Sequence, residues 1–215
     1  MITAALAMAA MIQTAQGSIT LADLAAGGSI SIGDKTFSGF GYTDSGLTGF
    51  DPANITVAAS IDSQGVYFLT WSGSIGTLNN LADLKLTYAV TASAGLINMI
   101  DQGYDGSGTI KVDETVSTSS GGVPIVGQSH LSAYDMSDPP AEANDLLNIV
   151  PPESTLYVTK DIALSTISLT DFATISQVEQ SFHQVPEPTT VLAGALLLLP
   201  LGASTLRILR RNRLG

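Results

Sequence analysis

From Ile30 to Phe182 apolar residues recur at every second position in short runs, and the runs are broken by Gly, Asp, Ser and Pro. Ile30 and Ile32, then Phe37 and Phe40, flank a Gly33-Asp34 turn. Ile55, Val57, Ala59 and Ile61 alternate next, and Leu84, Leu86, Tyr88 and Val90 alternate with Lys85, Thr87 and Thr91. A period of two belongs to strands that bury one face. Val66-Tyr67-Phe68-Leu69 is apolar at consecutive positions and predicts a central strand. Further strands are expected over 95–100, 109–116, 154–160, 162–169 and 173–182. So many short strands predict a mainly β fold, an antiparallel β-sandwich with the jelly roll among its forms, because two packed sheets let each strand bury one face and solvate the other.

Helix is scarce. Thr20 followed three residues later by Asp23, with Gly27-Gly28 as a stop, predicts one or two turns over 20–26. Two segments read as irregular: the Ser/Gly-rich 117–123, and 137–152, where Pro139-Pro140 and Pro151-Pro152 flank an acidic, helix-like 141–147. No internal repeat divides the chain.

The two ends follow other rules. Residues 189–206 hold no ionisable group and contain the block Leu196-Leu197-Leu198-Leu199. As a helix, eighteen residues span about 27 Å at about 1.5 Å each, near the thickness of a hydrocarbon core. Gly194, Pro200 and Gly202 are tolerated in such spans. All four arginines, Arg207, Arg210, Arg211 and Arg213, lie beyond it. Arginines stay on the cytoplasmic side, so the segment is expected to run with its N-terminal end outside. Residues 1–17 read as a signal peptide: 1–12 are apolar and uncharged, and Ala15-Gln16-Gly17 offers a small-x-small cleavage site before Ser18. The usual basic start is missing, so the start codon lies upstream or the signal is atypical.

Between these ends, immediately outside the apolar span, stands Val185-Pro186-Glu187-Pro188. Its prolines hold the chain extended and accessible. Motif, span and terminal Arg cluster together resemble the PEP-CTERM sorting signal of exported bacterial proteins. The resemblance implies an exported, cell-surface or matrix protein, held transiently in the inner membrane of a Gram-negative bacterium with residues 18–184 outside. It also implies that Val185, Pro186, Glu187 and Pro188 are recognised by exosortase, a membrane-embedded protease that removes the span (189–206) and the Arg-rich tail (207–213). The protein is then a substrate. The opening Ile-Thr-Leu-Ala-Asp-Leu and the Gly-Gly-Ser-Ile-Ser-Ile-Gly-Asp-Lys-Thr-Phe that follows resemble the start of many PEP-CTERM ectodomains, with no chemistry attached.

Composition narrows what the ectodomain can do. Residues 18–187 hold four Lys, no Arg and nineteen acidic residues, a net charge of −15. Such a domain repels nucleic acid and anionic membrane surfaces, since phosphate binding relies on Lys and Arg displacing counterions. With no Cys and only His130 and His183, disulfides and thiolate sites are excluded and a multi-histidine zinc site is not expected. No cofactor is implied, although an acidic surface can take up divalent cations diffusely.

The remaining chemistry is thin. Asp101-x-x-x-Asp105-Gly106 has the start of a calcium loop, but Gly103 stands at its third position and Val112 at its twelfth, where a bidentate acid is needed. An Asp105-Gly106 hairpin turn is the better reading. Asn54-Ile55-Thr56 fits a glycosylation acceptor but begins a strand. Acidic pairs such as Asp113-Glu114 are too common here to mark a glycosidase. Ser129-His130 and Ser181-x-His183 put Ser beside His with none of the surroundings of a nucleophile elbow, and read as exposed polar residues. Trp71, Tyr67, Tyr88, Tyr104 and Tyr134 could stack on sugars, but as a set they read as core or sheet surface. The function expected is that of a non-enzymatic, C-terminally sorted protein associated with exopolysaccharide. A carbohydrate-binding or adhesive module, and then a matrix-modifying hydrolase, are the alternatives.

Overall fold

The computed structural model describes residues 17–78, 80–133, 144–166 and 172–185. Among them, twelve strands form two six-stranded antiparallel sheets. The first sheet has the order β1 (Ile19–Thr20), β4 (Thr56–Ile61), β5 (Tyr67–Leu78), β12 (Phe172–Val185), β7 (Leu96–Ser107), β10 (Asn144–Glu153). The second has the order β2 (Ile30–Ile32), β3 (Lys35–Ser45), β6 (Leu81–Ala92), β11 (Thr155–Ser165), β8 (Thr109–Ser117), β9 (Ile125–Ala133). Only the β2–β3, β4–β5 and β8–β9 links stay within a sheet, so most connections carry the chain across the sandwich.

The alternation read from the sequence is the burial pattern of the sheets. Ile55, Val57 and Ala59 point inward, as do Leu84, Leu86, Tyr88 and Val90, and β2 and β3 pair around Gly33-Asp34 as expected. Aromatic rings link the layers: Trp71 lies 5.3 Å from Tyr88, Tyr88 lies 6.4 Å from Phe182, and Phe182 lies 5.3 Å from Phe37, centroid to centroid. Helix α1 (Leu21–Ala25) forms where Thr20 caps it, its Oγ1 accepting from the Asp23 N–H at 3.1 Å. Leu21 and Leu24 are its buried face.

Three expectations are corrected. The segments 154–160 and 162–169 begin as one strand, β11, with Asp161 in mid-ladder opposite Lys85 and Asp113. Lys160-Asp161 reads as a polar break, yet Lys160 turns inward and Asp161 outward, which is what a strand's period of two requires. Asp105-Gly106 is not a turn: β7 continues to Ser107, and Gly108, at φ +91°, makes the corner into β8. A Cβ on Gly106 would meet Thr174 O at 2.5 Å, so that glycine serves close packing. Finally, of the stretch 137–152, expected to be irregular with a helix-like 141–147, residues 144–152 belong to strand β10, paired with β7, with Ile149 buried. Its Pro151-Pro152 fall in a register shift between Asn148 and Glu153, on a sheet edge where a missing N–H costs little. The peptide bonds Val123-Pro124 and Val150-Pro151 are cis.

Val185 ends β12, opposite Leu96. Residues 1–16 and 186–215, with the expected signal core, Pro186, Glu187, Pro188, the apolar span and the four arginines, lie outside the described residues. Among the described residues no helix is long and apolar enough to cross a membrane.

Candidate functional site

The outer face of the first sheet carries a cleft of about 230 Å³ where β5, β12 and β7 run side by side. Its floor follows from register. Phe68 stands opposite Ser181, and Ser181 opposite Asp101; one pair along, Glu179 stands opposite Gly103. Residues two apart share a face, so Glu179, Ser181 and His183 all point outward from β12. Gly103 leaves a gap in the floor. The rim is the β4–β5 turn, where Asp62 Oδ1 accepts from the N–H groups of Gln64 and Val66, both at 2.8 Å. Gly65, at φ +83°, closes that turn.

The lining pairs one apolar aromatic, Phe68, with the carboxylates of Asp62, Asp101 and Glu179 and the imidazole of His183. Carboxylates are acceptors and a ring face is an apolar platform. The cleft therefore suits a ligand that donates hydrogen bonds from hydroxyls and has an apolar face. The same carboxylates repel an anionic ligand.

Ser181 is not the exposed residue its polarity suggests. It is 7% exposed, and its Oγ lies 3.3 Å from His183 Nε2. The pair comes from the i, i+2 geometry of a strand, a relation legible in the sequence. β12 is laddered on both sides, to β5 and to β7, along this stretch. Its backbone N–H groups thus serve the sheet and are not gathered as an oxyanion hole beside Ser181. The aromatics singled out from the sequence go elsewhere: Trp71, Tyr67 and Tyr88 are core, Tyr104 is half-buried, and Tyr134 lies outside the described residues. Asn54 sits exposed in a 3₁₀ turn (Pro52–Asn54) and its Nδ2 donates to Asp51 at 3.3 Å. His130 lies on β9, opposite Asp113.

Sequence reading missed a second polar group, inside the sandwich. Lys160 Nζ lies 2.6 Å from Glu114 Oε2 and 2.8 Å from Gln102 Oε1, all three buried. Lys35 likewise reaches Asp34 Oδ1 at 2.8 Å and contacts Gln184 Oε1. Parity was the available signal, since Lys160 falls in step with Leu156, Val158 and Ile162, and Glu114 with Ile110, Val112 and Val116. Burial lowers the Lys160 pKa from its ordinary value, against the opposing pull of Glu114. Burial, helped by Glu114, pushes the Tyr88 hydroxyl well above its usual range.

No protein-family model and no curated protein matches the chain. Among solved structures it is similar to a family 61 carbohydrate-binding module in complex with β-1,4-galactotriose, at 12% identity over 68% of this chain and 90% of that one, with a TM-score of 0.36. It is also similar to a glycoside hydrolase family 43 arabinoxylan arabinofuranohydrolase from Bacillus subtilis in complex with cellotetraose, at 9% identity over 74% of this chain and 54% of that one, with a TM-score of 0.23.

Proposed function

We propose that the protein is an exported surface or matrix component, sorted through its C-terminus as an exosortase substrate and without catalytic activity of its own. One observation supports this above others: the sandwich occupies the interval between the two expected processing points. β1 begins at Ile19, one residue after the expected mature start, and β12 ends at Val185, directly before Pro186-Glu187-Pro188. Cutting at either border removes no strand among the described residues. The test is intact mass and cell fractionation in the native host, comparing the normal chain with one carrying alanines at Pro186, Glu187 and Pro188. A normal chain that loses its span and appears outside the cell, beside a mutant retained full-length in the membrane, is the expected result. Both chains remaining full-length in the membrane would mean an ordinary anchor.

The outer cleft favours a second reading, in which the exported domain also holds a neutral polysaccharide. Phe68 is the platform and Asp101 and Glu179 are acceptors for sugar hydroxyls. The ladder bonds of β12 argue for binding rather than hydrolysis at Ser181.

A further inference from the structure

Two of the four lysines that precede the Pro-Glu-Pro motif are spent inside the sandwich, although the domain is strongly acidic and its surface could use them. Lys160 is the drier of the two sites. Its side chain is 0% exposed, that of Glu114 is 1%, and Gln102 is 1% exposed as a residue. Lys160 and Glu114 come from β11 and β8 of the second sheet, whereas Gln102 comes from β7 of the first. An amine, a primary carboxamide and a carboxyl group thus meet between the sheets, with the amine 2.8 Å from the carboxamide oxygen and 2.6 Å from the carboxylate.

We propose that Lys160 Nζ and Gln102 Cδ join in an intramolecular amide bond that links the two sheets, with Glu114 carrying the proton. Glu114 takes a proton from the Lys160 ammonium, and the freed amine attacks Gln102 Cδ, so that the Nζ–Cδ bond forms and the carbonyl electron pair moves onto Oε1. Glu114 returns its proton to Nε2 and takes one from Nζ. The carbonyl reforms, the Cδ–Nε2 bond breaks, and ammonia leaves. An ammonium, a carboxylate and a carboxamide become a secondary amide, a neutral carboxyl group and ammonia, with charge and atoms balanced and no oxidant needed.

Burial supplies the drive. A buried ion pair carries a desolvation cost that its mutual attraction only partly offsets. The product removes both charges of the Lys160–Glu114 pair, and the loss of ammonia to water opposes reversal. The depressed lysine pKa brings the neutral amine within reach. Lys35 meets Asp34 and Gln184 in a similar way, but Asp34 is 15% exposed, so the bond is assigned to Lys160 alone.

The full-length protein tests this by intact mass and by mapping of a peptic digest. The expected chain is lighter than its sequence by one ammonia, with a branched peptide joining the segments that contain Gln102 and Lys160. An unmodified mass overturns the proposal, as does ammonia loss mapped to another pair. Loss of one water, with Lys160 joined to Glu114, overturns the assignment of Gln102. The isosteric Glu114→Gln variant, shown folded by circular dichroism, should keep its full mass; if it still forms the Gln102–Lys160 bond, Glu114 does not carry the proton.

Discussion

Trp71 on β5 and Tyr88 on β6 face each other across the sandwich, one ring from each sheet, with centroids 5.3 Å apart and both side chains buried. The contact holds the layers together at their middle, and Tyr88 extends it to Phe40 and Phe182. Trp71→Ala should cost about 3–5 kcal/mol, the usual loss for a large aromatic truncated in a core. Trp71→Phe should cost less, because the indole Nε1 is buried without a hydrogen-bond partner and phenylalanine removes that unpaired donor. Urea unfolding followed by circular dichroism ranks the two variants. Equal losses would show that a ring retained at this position contributes nothing to the packing between the sheets.

Gly108 turns the chain from β7 into β8, moving it from one sheet to the other. Its φ of +91° is unfavourable for a side chain, and a Cβ there would lie 2.8 Å from the backbone of Ala173. Gly108→Ala is therefore expected to lose at least about 1–3 kcal/mol. Thermal unfolding of the variant decides it, and an unchanged midpoint would mean that the corner relaxes freely.

Asp83 on β6 has its pKa raised, first by burial and then by Asp161 on the neighbouring β11, with Lys85 opposing. The folded state therefore binds this proton more tightly than the unfolded chain. By linkage, stability present below the unfolded value, about pH 4, is lost as the pH rises through the raised folded value. Asp83→Asn should make the domain slightly more stable than wild type at pH 7, by less than about 0.5 kcal/mol given the group's partial exposure. The advantage should vanish at pH 3. Denaturation at the two pH values measures it; the same difference at both would remove the electrostatic cause.

Phe68 is the apolar platform of the outer cleft and makes no part of the inner core. If the domain holds neutral polysaccharide there, Phe68→Ala should weaken binding by about 1–3 kcal/mol, taking as guide the loss when an aromatic is removed from beneath a stacked nucleobase. Glu179→Gln should weaken it less, because the amide keeps one acceptor. Affinity electrophoresis of wild type and variants in gels containing neutral polysaccharides reads both effects. Wild-type protein that is not retarded by any of them ends this reading.

The period-two pattern determined by itself that the chain forms half-buried strands, and Gly33-Asp34 and Thr20 with Asp23 marked a turn and a cap, because those features depend on neighbours in sequence. The Pro186-Glu187-Pro188 motif and the apolar 189–206 are features of the linear sequence, and they lie outside the described residues. Tertiary structure decided which polar residues lie inside. Lys160 and Asp161 are adjacent and alike in polarity, yet one meets Glu114 and Gln102 between the sheets while the other faces out. What separates them is the pairing of β11 with β8 and the packing of β7 opposite, contacts 46 and 58 residues away along the chain. The same holds for β10, whose prolines and acids suggest a loop until β7 offers it an edge to pair with. The outer cleft, too, exists only because β5, β12 and β7 are brought into register from distant parts of the chain.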